Sequence, residues 1–318
     1  MHAVVPPRRP DAADPVVAAM LARCTFGEPG TRATCAVSGG ADSTALAALA
    51  IAHGLRVTLV HVDHGLRPDS ADEAHAVAEL AARWGAAFRS EVAHVAPGSD
   101  LEARARDARR SVLPDDALFG HTADDQAETV LLRLLRGTGP FGLGAMRSDR
   151  HPLLALRRAE TRSLCARLGV QVLQDPTNTD ARFVRNRVRH EVLPLLDDVA
   201  DRDVVPLLCR LAALSAEQSD LLEELAQGLD PCDAAALAAA PRPLAVAAVR
   251  RWWSEETGSA HPPERGAIDR LLQVAAGDAP RADLSGGWQV ARTAGRLRLE
   301  PTGRGGPPHA GLGSGADD

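Results

Sequence analysis

Ser38-Gly39-Gly40-Ala41-Asp42-Ser43 stands between the apolar run 33–37 and the Ala/Leu-rich run 44–52. This order predicts a strand, a tight glycine turn and a helix. Adjacent glycines allow positive φ and a close approach of the backbone to a ligand, and the first N–H groups of a helix favour an anion. The stretch therefore predicts a phosphate-binding turn. An ordinary strand–helix turn that needs glycine and an N-cap residue is the alternative.

Two hydroxyls and a carboxylate complete the predicted phosphate site. Ser38 and Ser43 supply the hydroxyl donors, and Asp42 is placed to hold a magnesium ion that bridges phosphate oxygens. The stretch is not a Walker motif, because no Gly-Lys-Ser/Thr follows it. The chain contains no lysine at all, so no lysine side chain neutralises the phosphate.

Runs of strand length and helix length alternate through the first half of the chain. Strands are predicted at 33–37, 56–62, 87–92 and 117–120, and helices at 42–53, 70–84, 101–113 and 123–136. Such alternation implies a parallel sheet covered on both faces, with ligands outside the carboxyl ends of its strands. The predicted fold class is α/β, a Rossmann-like domain followed by a smaller, mainly helical domain.

The composition sets the predicted domain boundaries. These are a partly disordered lead-in at 1–30, a nucleotide-binding domain at 31–200, a helical domain at 201–301 and a disordered tail at 302–318. The glycine-rich segment 137–144 is predicted to be a flexible loop over the site, and 283–299 a β-hairpin that turns at Ser285-Gly286-Gly287.

Charge and cysteine content indicate which partners the protein binds and which cellular compartment it occupies. Segment 133–190 holds twelve arginines against four acidic residues, although the whole chain has a net charge of −6. This local excess suits a phosphate backbone, and a set of solvated helix faces is the alternative. The five cysteines are widely spaced without a CxxC pair, which indicates free thiols in a reducing cytoplasm. No run approaches 18 apolar residues, so no membrane partner is predicted.

Three carboxylates lie in the first turns of the helix predicted at 123–136. Asp124, Asp125 and Glu128 could hold a cation, either a second metal ion or an amine substrate, and N-terminal capping is the alternative. His121 precedes them and is a candidate general base or phosphate ligand, because imidazole titrates near neutral pH.

Further candidates lie at the second strand and on two helices. His61 and His64 lie at the end of the predicted strand 56–62. Because no third metal ligand is evident beside this pair, a role in lining a nucleotide pocket is favoured over metal binding. The helix 101–113 carries Arg104 and Arg109, for which a solvated ion-pair face is the alternative.

A basic helix is predicted after the turn-rich segment 174–180. Its candidate substrate contacts are Arg182, Arg185, Asn186 and Arg189. Because guanidinium groups bind phosphate bidentately, this helix is the best candidate for an RNA contact.

Together these segments resemble the tRNA(Ile)-lysidine synthases, a branch of the PP-loop ATP pyrophosphatases. The resemblance runs from about residue 33 to 196. SGGADS is shared across the PP-loop superfamily, whereas HVDHGLR, LEARARDAR, GHTADDQAET with RGTG, and DPTN before RNRVRHEVLP narrow it to this family. The chain departs from the family pattern at Arg110, where Tyr is frequent, and at His151, where Arg is frequent.

The resemblance implies an adenine nucleotide alpha hydrolase-like fold and a two-step reaction. ATP with Mg²⁺ would adenylate the 2-carbonyl oxygen of the wobble cytidine in an isoleucine tRNA with a CAU anticodon. The ε-amine of free L-lysine would then displace AMP. Asp42 and Asp125 would hold the metal, and the catalytic residues would be Asp42, His121, Asp124, Asp125 and Glu128.

Other functions stay open on these residues. A PP-loop tRNA thiolase would need paired cysteines, and an amidating synthetase would leave the basic segment without a role. A catalytically silent tRNA-binding module is a further alternative, and the sequence leaves a homodimer open.

Overall fold

The computed structural model describes residues 7–63, 70–93, 104, 108, 111–173, 180, 182–259 and 262–302. It divides into two compact units, Met1–Ala216 and Glu217–Asp318. Among the described residues, no helix combines the length and the apolar character needed to cross a membrane. Most of the helix predicted at 101–113 lies outside the described residues.

A four-stranded parallel sheet organises the first unit. Its strands are β1 (Arg32–Ala36), β2 (Arg56–Asp63), β3 (Ala87–Val92) and β4 (Leu118–Phe119), in the order β3-β2-β1-β4. The chain moves outward from β1 to β3 and then returns to β4 on the other side of β1. This reversal places a ligand crevice between the carboxyl ends of β1 and β4, and the predicted α/β class is confirmed.

Helices surround the sheet and continue beyond it. The helices that begin in the first unit are α1 (Pro15–Leu21), α2 (Ala41–Ala52), α3 (Ser70–Trp84), α4 (Ala123–Leu135), α5 (Pro140–Leu143), α6 (Arg158–Arg167), α7 (Val184–Arg187), α8 (Leu193–Ala200) and α9 (Val205–Leu225). A π-helical turn, Val188–Val192, joins α7 to α8.

Helix α2 is the centre of the core. Every residue from 44 to 50 is buried, because the sheet covers one side of the helix and α6 packs on another. A helix that is apolar all round is stable only when it is enclosed in this way. Its buried position holds the start of α2, and with it the glycine turn, at the edge of the sheet.

Two segments contain a short helix that the sequence analysis did not name. The lead-in 1–30 contains helix α1, whose Val17 and Met20 are buried in the core of the first unit. The segment 137–144, predicted to be a flexible loop, contains the short helix α5, which begins at Pro140 after the N-cap Gly139. Proline favours the first position of a helix, because its fixed φ suits that turn and its missing N–H is not needed there.

The second unit combines helices with a small antiparallel sheet. Its helices are α10 (Ala234–Ala239), α11 (Arg242–Thr257) and α12 (Arg265–Ala276), and its strands are β5 (Arg281–Asp283), β6 (Trp288–Thr293) and β7 (Arg296–Pro301). The predicted hairpin is therefore a three-stranded sheet. The expected connection at Ser285–Gly287 is present, and a second turn contains Ala294 and Gly295, both with positive φ.

We predict that Gly120→Ala destabilises the first unit. A Cβ at Gly120 would lie 2.4 Å from the carbonyl oxygen of Asp42 and 2.8 Å from the amide nitrogen of Ser43, and backbone atoms cannot rotate away. The free energy of unfolding in urea should fall by about 1–3 kcal/mol. In the control Gly228→Ala the new Cβ meets nothing within 4 Å. Equal stability of the two variants would show that the close approach is unimportant.

Candidate active site

The glycine turn after β1 has the geometry of an anion site. Gly39 adopts φ +80°, and helix α2 starts at the N-cap Gly40 without a side-chain cap. The backbone N–H of Ser38 donates to Oγ of Ser43 at 3.2 Å, and Ser43 donates to the Gly40 carbonyl at 3.0 Å. These bonds close the turn on itself and leave the first N–H groups of a buried helix facing the crevice.

Asp42 is a carboxylate with few compensating contacts. Its side chain is 25% exposed, one oxygen accepts a hydrogen bond from the Thr161 hydroxyl, and Oδ2 lies 3.6 Å from Nε of Arg158. Burial raises the pKa of Asp42, and the nearby charge of Asp125 acts in the same direction, while the Thr161 bond opposes them. The ionised form is therefore costly here and would gain from an added cation.

Asp125 and Glu128, one turn apart on α4, form the centre of a buried ion cluster. Glu128 has no exposed side-chain surface and contacts three guanidiniums. Its oxygens lie 3.1 Å from Nη2 of Arg158, 2.8 Å from Nε of Arg185 and 2.7 Å from Nε of Arg189. We call these five residues, Asp125, Glu128, Arg158, Arg185 and Arg189, the ion cluster.

Asp125 contacts all three of these arginines, with Nη2 of Arg189 at 3.7 Å and the other two within hydrogen-bond distance. Its Oδ1 accepts from Arg158 at 2.7 Å and from Arg185 at 3.1 Å, while its Oδ2 accepts from the N–H and the hydroxyl of Thr122 at 2.9 Å each. Burial acts to raise the pKa of Asp125, but the two guanidiniums outweigh it and hold that pKa well below its ordinary range. The carboxylate is ionised throughout the physiological range.

Asp124 lies outside the ion cluster and joins α4 to α6 by another route. Arg157 donates to its two oxygens at 3.2 and 3.1 Å, and the backbone N–H of Arg158 donates to it at 2.8 Å. Arg157 also pairs with Asp203. Burial acts to raise the pKa of Asp124, but the hydrogen bonds from Arg157 and from the Arg158 backbone, together with the charges of both arginines, leave that pKa lowered.

The helix 184–192 carries two of the cluster arginines on one face. Arg185 and Arg189 are four residues apart, and Arg189 lies in the π-helical turn. Inserted π-helical turns are frequent at functional sites. Asn186 is buried, and its amide donates to the Asp180 carbonyl at 2.9 Å, whereas Arg182 is 88% exposed and pairs with Asp180. Asn186 thus anchors the turn, and Arg182 faces solvent.

His121 follows β4 and pairs with a second histidine. Its Nδ1 lies 2.9 Å from Nδ1 of His151, and Phe119 packs beside both rings. One ring must donate and the other accept in this bond, so the two rings cannot both carry an Nδ1 proton. His61, at the end of β2, is buried and bonds the Val37 carbonyl through Nδ1 at 3.0 Å.

Comparison with known proteins shows to which family the chain belongs. The family model for the PP-loop domain matches residues 15–196, and that for the TilS substrate binding domain matches residues 233–298. The tRNA(Ile)-lysidine synthase of Nocardia farcinica is 42% identical over 83% of this chain and 90% of its own. The chain belongs to the tRNA(Ile)-lysidine synthase family. Similar enzymes occur in Rhodococcus erythropolis (40% identical, 71% of this chain and 74% of that one) and Mycolicibacterium paratuberculosis (43%, 68% and 72%).

In this member of the lysidine synthase family, Asp42 and Asp125 are the predicted ligands of a magnesium ion, and only Asp42 has a suitable environment. Magnesium is often held by one or two carboxylates together with substrate phosphates and waters. Asp42 fits, because its carboxylate lies at the glycine turn and its Oδ2 is 3.6 Å from Nε of Arg158, beyond hydrogen-bond distance. Asp125 does not fit, because guanidinium and Thr122 donors already engage both its oxygens. Within the described ranges, no group of three potential metal ligands occurs.

The structure adds site residues that the sequence-based candidates omit. Arg157 and Arg158 come from the start of α6, Thr161 follows one turn later, and His151 precedes that helix. A cation at the start of a helix opposes the helix dipole, so the Arg157-Arg158 pair was a signal that these residues serve a partner elsewhere. Arg104 is half-buried in a helical position, while Arg109 lies outside the described residues.

We predict that Glu128→Gln destabilises the free protein. The change leaves three guanidiniums around one neutral amide, and breaking a buried ion pair by removing one partner costs about 3–5 kcal/mol. Urea unfolding would show the loss. The control is Glu191→Gln. Glu191 pairs with Arg187 on the exposed side of the helix 184–192, which also carries Arg185 and Arg189. A Glu128 variant as stable as the Glu191 variant would contradict the central role of the ion cluster.

Proposed function

We propose that this chain ligates lysine to the 2-position of the wobble cytidine in an isoleucine tRNA with a CAU anticodon, using ATP. The supporting observation is that both family models fall on one chain, with the glycine turn intact at the carboxyl end of β1. The product would convert codon recognition from AUG to AUA. We also propose that the protein acts in the cytoplasm.

The first step activates the cytosine. The 2-carbonyl oxygen of the base attacks the α-phosphorus of ATP, and pyrophosphate leaves. The open N–H groups at the start of α2 and the hydroxyls of Ser38 and Ser43 would hold the phosphates. A bound magnesium ion would neutralise phosphate charge, and Asp42 would hold it.

The second step forms the new carbon–nitrogen bond. The ε-amine of lysine attacks C2 of the adenylated base, AMP leaves with the former carbonyl oxygen, and the nitrogen loses its extra protons. We propose that carboxylates of α4 receive the lysine ammonium, with Asp124, Asp125 and Glu128 as candidates. Arginines already pair with each of them. The ammonium must therefore replace a guanidinium contact.

A tRNA thiolase is less well supported. Burial raises the pKa of the thiols of Cys24, Cys35 and Cys165 to about 12, which disfavours the nucleophilic thiolate. No two of the five cysteines form a CxxC pair.

We predict that Asp42→Asn abolishes ATP–pyrophosphate exchange in the presence of isoleucine tRNA. The physical reason is the loss of the charged carboxylate oxygen that would hold magnesium at the turn. Because the pKa of Asp42 is raised in the folded state, ionisation there weakens stability as pH rises above the unfolded value. The variant should therefore be at least as stable as the wild type at neutral pH and should still bind tRNA.

Two results would contradict this prediction. Near wild-type exchange by a folded Asp42→Asn protein would remove Asp42 from the site. A wild-type protein that shows no tRNA-dependent exchange and yields no lysidine by mass spectrometry of the tRNA would contradict the proposed function itself.

We further propose that the arginines of the basic helix contact tRNA phosphates. Arg189 uses Nε and Nη2 on Glu128, and its side chain is still 20% exposed. Its remaining donors could bind a phosphate while the first two hold the carboxylate. Arg182, Arg185, Asn186, Arg104 and Arg109 complete the proposed contact set.

We predict that Arg189→Gln lowers both tRNA affinity and its salt dependence. Each lost phosphate contact should reduce the log–log salt slope by about 0.7–0.9. The control is Arg187→Gln on the same helix, because Arg187 is exposed and pairs with Glu191. If Arg189→Gln lowers stability but leaves the slope unchanged, Arg189 serves the ion cluster alone.

A further inference from the structure

The second step of the proposed reaction needs a proton acceptor. The ε-nitrogen of lysine is an ammonium near neutral pH, because the pKa of that group in water is about 10.4. An ammonium has no lone pair, so it cannot attack C2 of the adenylated base until one proton has left. A group close to the bound ammonium must therefore take that proton.

The carboxylates of α4 are poor proton acceptors. Burial acts to raise the pKa of Asp124 and of Asp125, but the hydrogen bonds and charges of the surrounding arginines outweigh it and leave both pKa values lowered. Such a carboxylate attracts an ammonium by its charge, yet it is too weak a base to remove a proton at neutral pH. The acceptor must be another group.

The ion cluster favours the neutral form of a bound amine. Its three guanidiniums face only two carboxylates, those of Asp125 and Glu128, so one positive charge is in excess. A positive surrounding lowers the pKa of an ammonium, because like charges disfavour the charged form. The cluster therefore makes the first proton of the lysine ammonium easier to remove.

A pair of histidines lies beside both parts of the candidate site. His121 directly follows Gly120, whose close approach to the Asp42 carbonyl holds this segment against the glycine turn. Against the effect of burial, the charge of His121 joins those of the two guanidiniums in lowering the pKa of Asp125. The His121 ring is half-buried and lies within electrostatic reach of the ion cluster. Imidazole titrates near neutral pH, as a general base requires.

The bond between the two rings determines which nitrogen accepts a proton. Nδ1 of His121 lies 2.9 Å from Nδ1 of His151, and the ring planes meet at 70°. A single proton occupies this bond. When His121 donates it, Nε2 of His121 carries a lone pair and can take a further proton. The bond to His151 then becomes charge-assisted, which favours the imidazolium form.

The surrounding side chains hold the two rings in this arrangement. The centroid of the Phe119 ring lies 6.0 Å from that of His121 and 5.7 Å from that of His151. The guanidinium carbon of Arg150 lies 5.3 Å from the same Phe119 centroid, and the backbone N–H of Arg150 donates to exposed Asp149. The positive charge of Arg150 opposes a second protonation, so the pair takes up one proton only.

We propose, on the basis of the proposed function, that His121 is the proton acceptor of the second step and that His151 is its positioning residue. Nε2 of His121 takes one proton from the lysine ammonium, and the lone pair that remains on the nitrogen forms the bond to C2. The bond from C2 to the former carbonyl oxygen breaks, and AMP leaves with that electron pair. The second proton leaves the nitrogen after bond formation and passes to water. His151 accepts the Nδ1 hydrogen bond throughout.

The test isolates the second step. The full chain is incubated with ATP, magnesium and isoleucine tRNA so that adenylated tRNA forms, and lysine is then added at a series of pH values in a single-turnover assay. Mass spectrometry of the tRNA gives the rate of lysidine formation. In the wild type this rate should rise about tenfold per pH unit at low pH and level off near neutrality, where the imidazole is already neutral.

His121→Gln removes the proposed acceptor. The rate at neutral pH should fall about 100-fold, at the lower end of the contribution of a general base. The loss should shrink toward about pH 9, because a growing share of the lysine loses its proton without help. The control is His75→Gln, since His75 is 76% exposed on α3 and pairs with Glu79. This control should reproduce the wild-type profile.

Two changes at His151 test the positioning role. His151→Phe removes the hydrogen-bond acceptor, so it should lower the rate at neutral pH about tenfold and move the bend of the profile to lower pH. His151→Gln keeps an oxygen that can accept the bond from Nδ1, so it should recover most of the wild-type rate. A residue that only fills space would not distinguish the two variants in this way.

Three results would count against these assignments. A folded His121→Gln protein with the wild-type rate and pH profile overturns the role of His121. Equal profiles for His151→Phe and His151→Gln overturn the role of His151. A wild type that forms adenylated tRNA but no lysidine at any pH contradicts the proposed function itself, and the assignment of the proton acceptor falls with it.

Discussion

The structure around the candidate site depends on the neutralisation of Glu128. This carboxylate has no exposed surface, and three guanidiniums from two separate segments compensate its charge. An unpaired charge at such depth would be strongly unfavourable, so α4, α6 and the helix 184–192 must come together for any of them to bury these groups. The ion cluster therefore fixes the relative positions of three segments that are distant in sequence.

The ion cluster also explains the state of Asp42. Arg158 gives its short contacts to Asp125 and Glu128, and reaches Asp42 only at 3.6 Å. Asp42 is left half-compensated, with a raised pKa, beside the open start of α2. Such a carboxylate costs stability in the free protein and becomes favourable when a cation arrives, as expected at a site prepared for a charged ligand.

Much of the first unit could be predicted from short-range patterns. The strand at 32–36, the glycine turn and the helix that follows agree with the sequence, because each is set by side-chain periodicity and by the freedom of Gly39 to adopt φ +80°. The short helix α5 and the third strand of the second unit were not predicted. Both are brief elements, for which local propensity is a weak signal compared with tertiary packing.

The sequence by itself determined the order of the elements, the glycine turn and the presence of carboxylates and arginines in the same half of the chain. Only the tertiary structure decided which charges meet. The sequence predicts that Arg185 and Arg189 form an RNA-binding face. In the structure both side chains donate hydrogen bonds to Glu128, which lies some sixty residues earlier in the chain. The reason is that local pattern specifies which face of a helix a residue occupies, whereas burial of a charge depends on what the rest of the chain brings against that face.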